Sequence, residues 1–516
     1  MQYLLAMSTL ENQESMGTKA EEAFLEFIRD AGNKDGISPL VANAHFQIGR
    51  LALERGAYVE AIEGYRNAIS HGISGVQRAE ALSELGYSAL QLGDRAEAQR
   101  WYHKLIEDGQ AHSGLLAPAF LALGDLHRAE KAWAQAESFY SSALKHAEAV
   151  DLDKPVRGEI AFRLGESLYS QSRFFDALSA FENAISLDRG SAWFADAIYG
   201  LARSQNEMED FQAALKSYRR AASVYAQQVR TTLDAEKLER SQERLARSKF
   251  QIADITAKNA SSEQNHESLI DLYREAYQAS KAVQDETLRN ALLKDALMGQ
   301  AKAASQLGQK ETVSQTAESL AEVSRGDSIG LTQAADLFFD MKKYRSASDL
   351  YRQAMSLENA DDKLLAHGWM RLGFSHFQLA QQDTGQVENL QQAVEAYDKA
   401  IIHLKSVINN QQSLIDAPEN LRQPQSAIET SFKLQTSILN LNNARYHAAV
   451  AHKLLGEDEK AVERFEQVIE EDKTESLGHK ASLCLLNYMK SRCDMMTLSA
   501  RMSRRLWSLK CQVTLR

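Results

Sequence analysis

Proline is nearly missing. The chain has five in 516 residues, where the usual share of roughly 5% would give about 26. Glycine, at 26, also falls below its usual share of roughly 7%. Both residues punctuate turns and linkers, so their scarcity argues against an all-β chain and a long disordered one. Cysteine is missing from the first 483 residues; the three copies are Cys484, Cys493 and Cys511. Their spacings of nine and eighteen fit no zinc or redox pattern, and the body is not stapled by disulfides. No run of about 18 apolar residues occurs, so no segment is expected to span a membrane. Residues Tyr3 to Ala6 are apolar, but no lysine or arginine precedes Lys19, which does not make a signal peptide. The expected location is cytoplasmic, with the bacterial periplasm as the alternative if the N-terminus is incomplete. Phosphate loops and nucleotide fingerprints are also missing. The thirteen histidines are scattered, and His447 and His452 stand five apart rather than the four of a helical metal pair. No cofactor and no metal is implied, and no catalysis is expected.

Charge is present in quantity and is unevenly placed. The net charge is −11. Residues 484–516 hold seven basic residues against one acid, Asp494, a net +6, so residues 1–483 carry −17. An acidic body lacks the basic stripe that nucleic acid requires, and nucleic acid is not an expected partner. In the basic segment Met495, Leu498, Met502, Leu506, Leu509 and Val513 recur in steps of three and four. That spacing predicts an amphipathic helix. Such a helix can cap a repeat array, lie on an anionic membrane or enter a partner's groove. Non-native coding sequence is a further reading of the abrupt change in composition.

The body is built on one recurring frame. Gly49, Ala61, Tyr65 and Ala68 stand twelve, four and three residues apart. The same spacing returns as Gly86, Ala98, Tyr102, Leu105, as Gly124, Ala136, Tyr140, Ala143, and as Gly165, Ala177, Phe181, Ala184. A fifth copy is Ala202, Ala214, Tyr218, Ala221. Looser copies centre on Tyr273, Ala317, Tyr351, Tyr397 and Phe465. Steps of four and three place the last three residues on one helical face. The small residue twelve earlier lies on a preceding helix and allows close approach. Turn signals such as Gly56, Gly93 and Gly456 fall between the paired helices, and Tyr58, Trp133, Phe174, Phe211 and Tyr344 open second helices. Pro118 is expected at the start of a first helix, where its missing N–H costs nothing.

This frame resembles the tetratricopeptide repeat family, whose Trp-x-x-Leu-Gly element appears literally as Trp369, Leu372 and Gly373. Leu85-Gly86, Leu123-Gly124 and Leu164-Gly165 repeat its second half. The resemblance covers roughly residues 40–475. It implies an all-α fold, a right-handed superhelical solenoid of stacked antiparallel helix pairs, with about ten repeats. The family's closing proline is absent, and the aromatic steps run from 34 to 68 residues against a unit of 34. The expected organisation is an N-terminal cap (1–38), regular repeats (39–225) and degenerate repeats with longer helices (226–408). A loop or hinge follows (409–426), then a last repeat (427–483) and the basic helix (484–516). The stretch Gly158–Tyr225, with Trp193-Phe194-Ala195-Asp196, also resembles repeats of bacterial envelope-assembly proteins.

The family's concave face, formed by the first helix of each pair, binds segments of other proteins. The resemblance therefore implies a scaffold or adaptor whose partners are proteins, engaged through peptide or helical segments. The partner-binding positions it points to are Phe46, Arg50, Tyr87, Phe162, Tyr169, Tyr199, Arg203 and Phe374. Aromatics and arginine are the types that dominate interface energy. The lysine and asparagine with which related co-chaperones clamp a terminal carboxylate are replaced, by Phe46 and Arg50, Ser83 and Tyr87, Leu121 and Asp125, and Phe162 and Glu166. Heat-shock chaperone tails are thus not expected partners. The alternative role is a membrane-peripheral assembly factor using residues 484–516.

Overall fold

The computed structural model describes residues 17–31, 38–109, 111–191, 193–259, 263–382, 386–416 and 424–471, together with residues 3, 7, 478 and 480–485. No strand occurs among them. Two compact units divide the chain, Met1–Thr256 and Ala257–Arg516.

The N-terminal unit opens with α1 (Gly17–Ala31). Helix pairs follow: α2 (Ser38–Glu54) with α3 (Tyr58–Ser70), α4 (Gly75–Gln91) with α5 (Arg95–Glu107), and α6 (Ser113–Ala129) with α7 (Trp133–Ala149). Next come α8 (Lys154–Ser170) with α9 (Phe174–Leu187) and α10 (Phe194–Glu207) with α11 (Phe211–Thr231). Helix α12 (Ala235–Lys258) ends this unit and α13 (Glu263–Ser280) begins the second. The C-terminal unit continues with α14 (Glu286–Gln306) and α15 (Lys310–Val323), then α16 (Ser328–Asp340) and α17 (Tyr344–Met355). It closes with α18 (Asp362–Gln382), α19 (Gln386–Asp416), α20 (Pro424–Leu454) and α21 (Asp458–Glu471). This is the helical-repeat architecture expected from the frame.

The frame is the core of each unit. All thirty residues of its ten copies are buried, none more than 6% exposed. In most copies the second helix lays its ring on a small residue of a neighbouring helix. A Cβ added at Gly86 would fall 2.6 Å from the Tyr102 ring, and one at Gly124 2.5 Å from Tyr140. The aromatic therefore needs glycine beneath it, and alanine on either side lets the backbones close in. Sequence spacing did not single out Gly64. Its added Cβ would lie 2.7 Å from the Gly49 backbone, so α2 and α3 cross there without side chains between them.

Tight turns join the paired helices. Gly93 has φ +78°, its N–H donating to Leu90 at 3.0 Å while Asp94 donates to Ala89 at 2.9 Å. This left-handed cap satisfies the last carbonyls of the helix. Lys131, Ser172, Glu209 and Lys342 take the same conformation, with φ near +60°, although each carries a Cβ. Left-handed backbone costs a non-glycine residue roughly 1–2 kcal/mol. Gly93→Ala should therefore lose about 1 kcal/mol. Lys342→Gly should gain about 0.5 kcal/mol after glycine's extra freedom in the unfolded chain is subtracted. Urea melts of the two variants check the opposite signs.

Two sequence expectations change. Pro118 is not in the first turn but is the sixth residue of α6, where it removes one helical hydrogen bond. Residues 409–416 and 424–426, expected in a loop or hinge, are helical; residues 417–423 lie outside the described ones. The 68-residue step is taken up mainly by α19 and α20, each 31 residues long. Of the basic segment 484–516, residues 486–516 lie outside the described residues. Cys484 and Leu485 are helical, and Leu485 packs with Ala461 and Phe465. No helix among the described residues is long and apolar enough to cross a membrane.

Candidate partner-binding clefts

In the N-terminal unit, α8 and α10 are first helices of consecutive pairs, and α12 follows them. Steps of three or four along α8 place Glu159, Phe162, Arg163 and Glu166 on one face. Along α12 the same steps align Lys237, Arg240, Arg244 and Arg247. The two faces border a cleft of about 690 Å³ with Phe162, Trp193 and Tyr225 among its lining.

Asp196 is the hub of this cleft. Its carboxylate accepts from the Tyr225 hydroxyl at 2.6 Å, pairs with Arg240 at 2.6 Å and lies 3.7 Å from Arg244. Burial opposes the charge of Arg244, but Tyr225, Asp196 and Tyr199 outweigh it and raise its pKa. Burial, then Asp196, holds the Tyr225 phenol protonated well above its ordinary value. A second cluster joins α6 to α8, where Asp125 accepts from Tyr140 at 2.6 Å and is bound by Arg163, which also meets Glu159 at 2.5 Å. Guanidinium and rings stack beside the cleft: Arg203 lies 3.8 Å over Tyr169, and Arg244 lies 4.8 Å over Tyr199. Stacked arginines of this kind stay available for planar recognition on their open edge. The cleft presents charge of both signs over an aromatic floor.

The C-terminal unit holds a second cleft, of about 860 Å³, bounded by α18, α19 and α20. Phe374, Met370, Leu404, Val407 and Phe432 make it mainly apolar. His447 lies within it, stacked on Tyr397 at 5.8 Å and edge-on to Phe374 at 5.9 Å.

The expected partner-binding residues divide. Phe162, Tyr169, Tyr199 and Arg203 come together in and beside the first cleft, and Phe374 lines the second. Phe46 is only 5% exposed and packs edge-on against Tyr65 at 5.6 Å, so it is a core residue. Tyr199 is 7% exposed and packs against Tyr218 and Tyr225. Helical period alone places both on the concave face, because it does not say how close the next helix lies. Tyr87 is 43% exposed and meets the Tyr58 ring at 6.4 Å, while Arg50 pairs only loosely with Glu54 at 3.8 Å. The sequence reading missed Arg240 and Arg244. The three-and-four spacing of cations from Lys237 to Arg247 was the signal available.

Three histidines, His376 buried and His45 and His447 half-buried, should give the protein a pH dependence. Burial, then the neighbouring His71, pushes the His45 pKa down to about 4. Burial, then Lys480, lowers that of His447, and burial chiefly lowers that of His376. Each folded value lies below the unfolded one near 6.5, so the fold prefers the neutral ring. Their contribution is complete above a pH of about 6.5 and is lost as the pH falls through the folded values. Urea midpoints should drop between about pH 6.5 and 4, and His45→Gln and His447→Gln should flatten the drop.

The family model for the tetratricopeptide repeat matches residues 196–227 and 443–474. No curated protein matches the chain. Solved structures resemble it at low identity. The apo form of RapI is 12% identical over 73% of this chain and 98% of its own, with a TM-score of 0.41. MamA 41-end from Desulfovibrio magneticus RS-1 is 17% identical over 36% of this chain and 96% of its own, TM-score 0.30. PilF of Pseudomonas aeruginosa is 20% identical over 47% and 96%, TM-score 0.31. These likenesses carry no assignment of function.

Proposed function

We propose, from the premise that this is a chain of tetratricopeptide repeats, that it is a non-enzymatic scaffold whose N-terminal unit holds a segment of another protein in the Asp196 cleft. The repeat fold is in general a protein-interaction fold, and stacked helix pairs offer an extended surface rather than an enclosed active site. The observation that carries the reading is the convergence of α8, α10 and α12 on one cleft. It joins the Phe162 and Trp193 rings to the half-exposed Arg240 and the exposed Lys237. Rings anchor an apolar side chain, and the cations orient the polar part of the segment.

A photo-crosslinking residue at Gln228, inside the cleft, and another at Phe175, exposed outside it, test this in cells. A protein partner should attach at residue 228 and be lost with Lys237→Glu/Arg240→Glu, while position 175 stays unlabelled. Nucleic acid at residue 228, or labelling indifferent to the charge reversal, would count against the scaffold reading.

The second reading is peripheral membrane binding through residues 484–516, and its support is the basic amphipathic spacing in the sequence. Flotation on anionic liposomes, with and without that segment, tests it. Loss of binding on truncation supports it, and no binding in either form removes it.

A further inference from the structure

The cleft of the C-terminal unit differs in chemistry from the Asp196 cleft, and the inference drawn from it stands independently of the reading above. Its charged lining residues are Lys363, Arg371 and Lys433, accompanied by His367 and His447. Among the described residues no carboxylate lines it, although the chain carries 70 aspartates and glutamates. Three acids outside the lining meet groups of the cleft: Asp336 meets His367 at 3.0 Å, Asp340 meets Arg371 at 3.3 Å and Glu429 meets Lys433 at 3.9 Å. The surface offered to a ligand is therefore apolar with a cationic rim.

A second observation concerns Tyr397, the frame aromatic that lines this cleft. It is 1% exposed, and its buried hydroxyl has no hydrogen-bond partner among the described residues. Two other repeats solve the same problem internally. Tyr140 donates to Asp125, the residue after Gly124, and Tyr351 donates to Asp336, the residue after Ala335. In the Tyr397 repeat the ring lies on Gly373, and the residue after that glycine is Phe374. The acceptor has been replaced by an apolar wall. Burial raises the pKa of Tyr397, so its hydroxyl stays a donor. A buried donor left without an acceptor is costly, and a ligand that supplies one recovers that cost.

We propose that this cleft binds an acidic protein segment with bulky apolar side chains, one carboxylate of which accepts the hydrogen bond of Tyr397. The apolar side chains cover Met370, Phe374 and Phe432, and the remaining acids face Lys363, Arg371 and Lys433. The lining along α20 runs from Phe432 to His447, about 22 Å at the helical rise, which sets the length of segment held.

Selection of a random peptide display library on the full chain tests the proposal, with the Phe432→Glu/Lys433→Glu chain as counter-selection. Both replaced side chains are well exposed, Phe432 at 71%, so the fold does not rest on them. Peptides that need the intact cleft should combine Asp or Glu with Leu, Phe or Trp. Their affinity should fall about tenfold on the Tyr397→Phe chain. The unliganded Tyr397→Phe chain should melt no lower than the parent, because it gives up no hydrogen bond. Cleft-dependent peptides that are neutral or basic, equal affinity for both chains, a lowered melting point of unliganded Tyr397→Phe, or no cleft-dependent peptide at all would overturn it.

Discussion

Truncating Phe181 to alanine should destabilise the N-terminal unit by about 3–5 kcal/mol. Phe181 is fully buried and is held between two first helices at once. A Cβ at Gly165 would fall 2.7 Å from its ring, and one at Gly200 2.5 Å away. The ring thus fills the joint between α8 and α10. Its loss removes contacts on both sides, and the glycines have no side chains with which to fill the space. Phe181→Leu keeps most of the volume and should cost about 1.5 kcal/mol or less. Urea unfolding monitored by circular dichroism reads the difference. A loss below about 1 kcal/mol for the alanine variant, well under the usual cost of truncating a buried aromatic, would mean that the joint collapses or is hydrated.

The second large effect is expected for Asp196→Ala, at about 3 kcal/mol. The change strands the Tyr225 hydroxyl and leaves Arg244 facing its neighbours without its carboxylate. Removing one member of a buried ionic cluster typically costs roughly 3–5 kcal/mol. The lower end applies here because Arg240 is 57% exposed and recovers water. Asp196→Asn keeps an acceptor for Tyr225 and should lose less. The same two variants separate stability from binding. Asp196→Asn should fold yet misplace Arg240, so cross-linking from residue 228 should weaken while the melting curve moves little. Equal melting curves for Asp196→Ala and the parent would show that the cluster is solvated and contributes nothing.

The sequence by itself determined the helical repeat. A spacing of twelve, four and three residues is met by two helices in contact, and the thirty frame residues are buried as that spacing requires. It also placed the turns, because a left-handed cap leaves a glycine signature at Gly56, Gly93 and Gly456. The same cap at Lys131, Ser172, Glu209 and Lys342 was not legible, since these exposed residues carry no glycine signature and the cap's backbone hydrogen bonds, such as Ala132 to His127 at 2.9 Å and Lys343 to Phe338 at 2.9 Å, hold the turn against the preference of the residue. Tertiary structure alone decided which aromatics are surface. Period assigns Phe46, Phe162, Tyr199 and Phe374 to one face, but neighbouring helices cover Phe46 and Tyr199 and leave Phe162 and Phe374 lining clefts. It alone joined Asp196 on α10 to Tyr225 on α11 and to Arg240 and Arg244 on α12. It also left Tyr397 without the aspartate that serves Tyr140 and Tyr351. Local spacing reports the face a side chain leaves from; only the packed neighbours determine what it meets.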